Sequence, residues 1–342
     1  MKGGYYMSNY YELPTLDIWQ GRVDSIDDYE SFRWHQYIQP LDLSKDIPKL
    51  QSGIGFVIIG YKVDEGIILN KGQGGAAKGP DEVRKQLCNK PCSFTKDVKI
   101  YDGGNVLFTT SVEQAQIDLS NCVSKILENG YFPIIIGGGH DVTFGHMQGL
   151  YKHEDINLNK LGFINFDAHF DNRPGDFSTS GTIFRQIESK VSNQTNDFHH
   201  LTIGIQKSSN TVALFKHAKE VGSQYILARD VYSAKEDINK YKIDQFLKEI
   251  DHVLLTVCTD VFASSFAPGV SAPQPMGIVP QSFMSLFRYI ISSGKVVSFD
   301  IAEISPDLDN GTTTSSLGST IVYNLVSSLA LYHGYDLLSE YI

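Results

Sequence analysis

Cysteine is scarce, long apolar runs are missing and basic residues are outnumbered, and each shortage removes a class of protein. The four cysteines (Cys88, Cys92, Cys122 and Cys258) in 342 residues are too few and too scattered for a disulfide framework. Cys88 and Cys92 stand four apart, but no second pair follows to complete a zinc site. These features, with the missing apolar leader described next, set the expectation of a reduced, cytoplasmic protein. The opening M-K-G-G-Y-Y-M-S-N-Y-Y-E lacks the apolar core of a signal peptide. No stretch approaches the roughly 20 apolar residues that span a bilayer, so no membrane partner is expected. The formal charge of −10 has the wrong sign for a nucleic-acid partner, which wants a basic face.

With 42% hydrophobic and 20% charged residues the chain is ordinary globular material, long enough for one large α/β domain or two smaller ones. Residues 1–50 are aromatic and acidic without a sustained period, and read as an irregular arm with a short helix or two. From residue 51 the pattern alternates. Strands are expected at 53–60, 98–101, 132–136, 161–166, 200–205, 225–227, 252–258 and 295–299. Helices are expected at 81–87, 111–128, 211–221, 235–250, 281–292 and 316–333, with Asn129-Gly130 closing the second. Alternation of this kind means a parallel sheet covered on both faces. With no linker or repeat, residues 51–342 read as one domain. The glycine-rich loop N-K-G-Q-G-G-A-A-K-G-P at 70–80 lacks a Walker lysine–serine pair, which argues against a phosphate loop.

The chemistry collects where strands end. Residues 161–174 read L-G-F-I-N-F-D-A-H-F-D-N-R-P: β-formers, then Asp167, His169 and Asp171 at every second position. On extended backbone, residues two apart share a side, so two carboxylates and an imidazole would face one cavity. Mixed oxygen and nitrogen donors suit divalent ions such as manganese, iron, cobalt or zinc. The strand at 132–136 runs into G-G-G-H-D, where glycines allow close backbone approach and would drop His140 into the same edge cavity. The strand at 252–258 ends in C-T-D, putting Cys258 and Asp260 on one face. The strand at 295–299 ends in D-I-A-E, offering Asp300 and Glu303 to a cationic substrate group or to a helix cap. The sheet edge at the strands' C-terminal ends is where α/β proteins hold ligands.

Taken in order, G-G-G-H, D-A-H-F-D and D-V-F-A-S-S-F-A-P-G-V-S-A-P at 260–273 resemble the ureohydrolases: arginases, agmatinases and formimidoylglutamases. The resemblance runs from about Gly53 onward and implies a three-layer α-β-α sandwich on an eight-stranded parallel sheet. The formimidoylglutamase branch is the nearest likeness, through the 70–80 loop, D-A-H-F-D-x-R, S-G-T-I-F-R-Q-I at 180–187, G-I-Q-K-S-S-N-T at 204–211 and A-P-G-V-S-A-P. Arginases carry a histidine for proton transfer where this chain has Phe184, and an asparagine where it has Arg173. An arginine there suits a substrate rich in carboxylates. Phe184 and Arg185 are expected in a loop over the site, with Arg173 facing the pocket.

Carried over position by position, the resemblance implies that His140, Asp167, Asp171 and the place of Cys258 hold one metal. Asp167, His169, the place of Cys258 and Asp260 hold the other. Manganese is the family's usual ion, and two ions are expected, or one if the cysteine weakens a site. The family generally has a bridging aspartate where this chain has Cys258, and a thiolate favours softer ions than a carboxylate does. The implied reaction is hydrolysis of N-formimidoyl-L-glutamate, the amidine of histidine degradation, to L-glutamate and formamide. Asp171 would handle the proton, Glu303 the cationic amidinium, and Arg173, Arg185 and Asn210 the carboxylates. A homo-oligomer acting on a small amino-acid-derived substrate is expected. Two alternatives stay open: another ureohydrolase activity on arginine, agmatine or a guanidino acid, and a metal-depleted, non-enzymatic relative.

Overall fold

Along one buried segment Phe56 and Ile58 enter one hydrophobic core while Val57, Ile59 and Tyr61 enter another. That two-residue period marks a strand covered on both faces. The computed structural model describes residues 10–194 and 197–341. Its strands are β1 (Tyr11–Glu12), β2 (Gln39–Pro40), β3 (Ile54–Lys62), β4 (Val98–Leu107), β5 (Phe132–Ile136), β6 (Leu161–Phe166), β7 (His199–Ile205), β8 (Gln224–Leu227), β9 (His252–Cys258) and β10 (Val296–Ala302). They form one sheet in the order β1-β4-β3-β5-β10-β9-β6-β7-β8, with β2 also on β4. The eight strands from β4 to β8 in that order are parallel throughout. The two-residue strands β1 and β2 add to the edge, β1 antiparallel and β2 parallel to β4.

The helices are α1 (Trp34–Tyr37), α2 (Glu65–Leu69), α3 (Gly79–Leu87), α4 (Val112–Glu128), α5 (Val142–Leu150), α6 (Ile183–Ser192), α7 (Val212–Glu220), α8 (Glu236–Lys248), α9 (Pro280–Ser292) and α10 (Thr313–Tyr332). α3, α8, α9 and α10 cover one face of the sheet. α4, α5 and α6 cover the other. The result is the three-layer sandwich. Burying each large aliphatic or aromatic side chain contributes about 1.5–3 kcal/mol relative to leaving it in water, and both faces of the central strands take part.

Three expectations need correction. The strand expected at 98–101 runs on to Leu107. Its D-G-G-N segment, turn-like in sequence, stays in the sheet because Arg84 binds Asp102 and Asn105 at 2.9 and 2.7 Å. The loop expected around Phe184 and Arg185 is the first turn of α6, whose Ile183, Phe184, Ile187 and Val191 form a buried stripe. Asp300 lies inside β10, not beyond its end. The arm at its described residues does have short helices, but it also reaches the core: Trp34 is fully buried, and Trp19 Nε1 donates to Asp102 Oδ2 at 2.7 Å.

Four neighbouring strands at the centre, β5, β10, β9 and β6, point their C-terminal ends to one edge. The G-G-G turn after β5 threads between two of its neighbours there. Gly137 N donates to Ile301 O, Gly139 N to Val63 O, and Glu303 N to Gly138 O. A Cβ on Gly138 would lie 1.8 Å from Val63 O, so only glycine passes.

Candidate metal centre

Every residue expected as a ligand arrives at this edge. His140 follows β5, Asp167, His169 and Asp171 follow β6, Cys258 ends β9, and Asp260 comes two residues later. Five of these six residues form two overlapping triads, His140–Asp167–Cys258 and Asp167–His169–Asp260, with all donors in a triad within 4.8 Å of one another. Asp167 belongs to both. His140 Nδ1 lies 3.0 Å from Asp167 Oδ2 and 3.0 Å from Asp171 Oδ2. His169 Nδ1 lies 3.0 Å from Asp260 Oδ2 and 3.4 Å from Asp167 Oδ1.

Local hydrogen bonds aim these groups. Asn165 Nδ2 donates to Asp167 Oδ2 at 3.2 Å and His169 N to Asp167 Oδ1 at 2.7 Å. Among the described residues three non-glycines have positive φ: Lys71 at 66°, Asp171 at 44° and Glu303 at 65°. Such backbone costs on the order of 1–3 kcal/mol and collects at functional sites; two of the three are the residues the sequence nominated as catalytic. Asp171 is stitched in place by Phe184 N donating to its carbonyl at 2.9 Å. Glu303, buried, accepts from His140 N through Oε1 at 3.1 Å.

The electrostatics are those of a cavity built for cations. Burial favours neutral His140, but hydrogen bonds to Asp167 and Asp171 outweigh it and hold the imidazole well above its ordinary range. His169 behaves alike through Asp260 and Asp167. Burial raises the Asp167 carboxyl, and the two histidines more than reverse that, taking it well below the usual carboxylate range. Burial, then the surrounding carboxylates, push the Cys258 thiol and the Glu303 carboxyl well up. A bound divalent ion would invert this balance. Asp260 Oδ1 is buried without a hydrogen-bond partner, an acceptor left over for a cation. The donor set of carboxylates, imidazoles and one thiol thus fits a divalent metal.

The residues expected at the substrate are divided. Arg173 Nη1 lies 3.3 Å from Asp171 Oδ1. Arg173 also lines a cavity of about 450 Å³ with Arg185, Lys190, Gln116, Ser178 and Thr182. Arg185 spends its Nε on Asn172 O at 3.0 Å. Asn210 commits its amide to backbone: Oδ1 accepts from Phe170 N, and Nδ2 donates to Ala168 O and Gln206 O. It braces the D-A-H-F turn, so the carboxylate-binding role expected of it does not hold. Phe184 is buried, stacked on His200 at 4.1 Å and edge-on to His140 at 6.0 Å. It walls His140 in from the core side. Thr256, Thr143, His146 and the true position of Asp300, all fully buried near His140, had no signal in the sequence as neighbours; only the order of the strands brings them together.

Comparison with known proteins agrees. The arginase family model matches residues 54–327. Formimidoylglutamase from Clostridium tetani is 43% identical over 333 residues, covering 96% of this chain and 98% of that protein. Formimidoylglutamase from Staphylococcus carnosus is 37% identical over 323 residues, with 92% and 99% covered. The solved formimidoylglutamase of Bacillus subtilis superposes with a TM-score of 0.72 at 21% identity, over 84% of this chain and 93% of that one. Trypanosoma cruzi formiminoglutamase, solved with Mn²⁺, gives 0.72 at 24% identity over 83% and 98%. No helix among the described residues is long and apolar enough to cross a membrane. On the family match and on identity sustained along nearly the whole chain, the protein belongs to the arginase family.

Proposed function

We propose that the protein is a metal-dependent hydrolase of linear amidines, that its substrate is N-formimidoyl-L-glutamate, and that its products are L-glutamate and formamide. The observation that carries this reading is the pair of donor triads sharing Asp167. The substrate is supported by likeness to formimidoylglutamases along 96% of the chain.

His140, Asp167, Asp171 and Cys258 would hold one manganese ion, and Asp167, His169 and Asp260 the other. The chemistry such ions supply when bound is acidification of water, which makes hydroxide available near neutral pH. The chain's own residues do the rest. Asp171, fixed by its left-handed backbone and by Phe184 N, would hold the attacking water's proton and deliver it to the leaving nitrogen. Glu303 has one oxygen committed to His140 N; the other would face the amidinium, whose charge offsets the crowding of carboxylates. Arg173 would grip a glutamate carboxylate, with Arg185 further along the same cavity. Water adds to the amidine carbon, the bond from that carbon to the glutamate nitrogen breaks, and that nitrogen leaves protonated.

A substrate panel tests the assignment. Manganese-loaded protein is expected to release formamide from N-formimidoyl-L-glutamate and no urea from arginine or agmatine. Urea release at a comparable kcat/KM would move the protein to another ureohydrolase activity. Absence of turnover on the whole panel would favour a non-enzymatic relative.

A further inference from the structure

We infer that Asn70 is a specificity-determining residue for the substrate: its side-chain amide and the Arg173 guanidinium form one fork for the α-carboxylate, which sits on the carbon bearing the amidine nitrogen. This deepens the function proposed above and rests on it.

The observation is a convergence at Gly181. A Cβ built there would lie 2.6 Å from Asn70 Oδ1, 2.7 Å from Arg173 Nη1 and 2.8 Å from Asn70 Nδ2. The amide and the guanidinium therefore border one point, from which a side chain at 181 would displace both. Arg173 Nη1 is already turned to Asp171 Oδ1 at 3.3 Å. The Asn70 side chain, partly buried, has no hydrogen-bond partner among the described residues. Its amide is an unspent donor and acceptor.

The chain goes to some length to hold Asn70 there. Asn70 is the C-cap of α2. Lys71 N donates to Ile68 O and Gly72 N to Ile67 O, the paired bonds of a Schellman cap. Lys71 takes the left-handed backbone that this cap requires, at φ 66°. The next residue is pinned from outside, with Gln73 N donating to Ser271 Oγ at 2.9 Å. The loop that carries Arg173 is tied to the same helix: Ser180 N donates to Gly66 O, and Arg173 N to Gly181 O. The glycine-rich 70–80 loop and the A-P-G-V-S-A-P motif, neither of which supplies a metal donor, thus join in presenting one amide beside Arg173.

Reach selects the α-carboxylate. Arg173 touches Asp171, so the fork lies beside the reacting bond. In N-formimidoyl-L-glutamate the α-carboxylate is on the carbon next to the leaving nitrogen, and the side-chain carboxylate is two methylenes further. Arginine and agmatine have a methylene at that carbon, with no charge for the fork to bind. A neutral amide also adds a donor without adding positive charge beside the metals and the amidinium.

The test uses the manganese-loaded full chain and three compounds. They are N-formimidoyl-L-glutamate, N-formimidoylglycine, which keeps only the α-carboxylate, and N-formimidoyl-γ-aminobutyrate, which keeps only the distal one. KM is read, or the inhibition constant against N-formimidoyl-L-glutamate where turnover is too slow to follow. Asn70→Ala is expected to raise that constant roughly 10- to 150-fold for the first two compounds, with kcat unchanged, and to leave the third compound unaffected. Asn70→Asp, equal in size but of like charge to the ligand, is expected to lose more on the same two. Gly181→Ala, which pushes both groups off their common point, is expected to lose at least as much as Asn70→Ala. An unaffected third compound certifies the fold of each variant. Equal losses on all three compounds would make Asn70 a structural residue and overturn the inference, as would a loss confined to the distal-carboxylate compound. Active wild type with an unaffected Asn70→Ala overturns this inference alone, whereas wild type inactive on N-formimidoyl-L-glutamate overturns the proposed function with it.

Discussion

The two halves of the candidate metal centre each join an imidazole to carboxylates and share Asp167, yet they are built differently. The His140 ring is 1% exposed, lies edge-on to Phe184 and is tied through Nε2 to a network of buried hydroxyls and a carboxylate. The His169 ring is 12% exposed and sits on the D-A-H-F-D turn, its contacts being carboxylates of the site itself. Cys258 groups with the first half and not the second. One half is prepared by the sheet before any ion arrives; the other is prepared by a turn.

The largest expected effect comes from removing what the halves share. Asp167→Ala should empty both positions, and because metal catalysis is worth several kcal/mol, kcat/KM for N-formimidoyl-L-glutamate should fall on the order of 10³-fold or more. Metal analysis of the purified variant checks the cause; retention of one tightly bound ion would show that the halves do not depend on a common carboxylate.

Arg173→Ala comes next. It lies beside the His140 half through Asp171, but its proposed partner is the substrate. Losing a hydrogen bond between charged groups costs about 1.5–3 kcal/mol, so KM should rise roughly 10- to 150-fold with manganese occupancy intact. An unchanged KM would remove the carboxylate-clamp role.

Cys258→Asp should narrow the difference between the halves. Burial, then the surrounding carboxylates, push the thiol well up, and thiolate is a poor match for manganese. A carboxylate with two oxygens can serve both positions, so occupancy should move toward two ions per chain. Unchanged occupancy would mean that the thiol does not limit the site.

The smallest effect is in pH dependence. His140 and His169 are held well above the ordinary imidazole value of 6.5 in the metal-free protein. A raised value in the folded state contributes stability that is complete below the unfolded value and is lost as pH climbs through the folded one. Metal binding displaces those protons, so affinity rises with pH. Both trends widen the gap in melting temperature between loaded and stripped protein from mildly acid to mildly alkaline buffer, by about 1–2 °C for each kcal/mol in a chain of this length. A gap that narrows would contradict the assignment of those charges.

How legible all this is in the sequence differs between the same two halves. The strands at 132–136, 161–166 and 252–258 match expectation to the residue, because each is an apolar run stopped by glycine, a turn or a polar motif. The D-A-H-F-D half reads directly, since its spacing lies within one segment. The scaffold under His140 does not. Thr143, Thr256 and Asp300 come from α5, β9 and β10, and only the crossover order of the sheet makes them neighbours. α5 and α6 also escaped notice: α5 contains two glycines and little amphipathic pattern, and the glycine, serine and threonine residues before α6 resemble a loop. Arg84 likewise has no sequence signal as the partner that holds the second half of β4 in the sheet.

The most direct test of the whole account is a manganese titration of metal-stripped protein with formamide release from N-formimidoyl-L-glutamate as the readout. The account expects no formamide from the stripped protein, two unequal binding steps, and turnover that appears as the weaker step fills. Formamide release at the loaded rate without metal, or two ions bound with equal affinity, would contradict it.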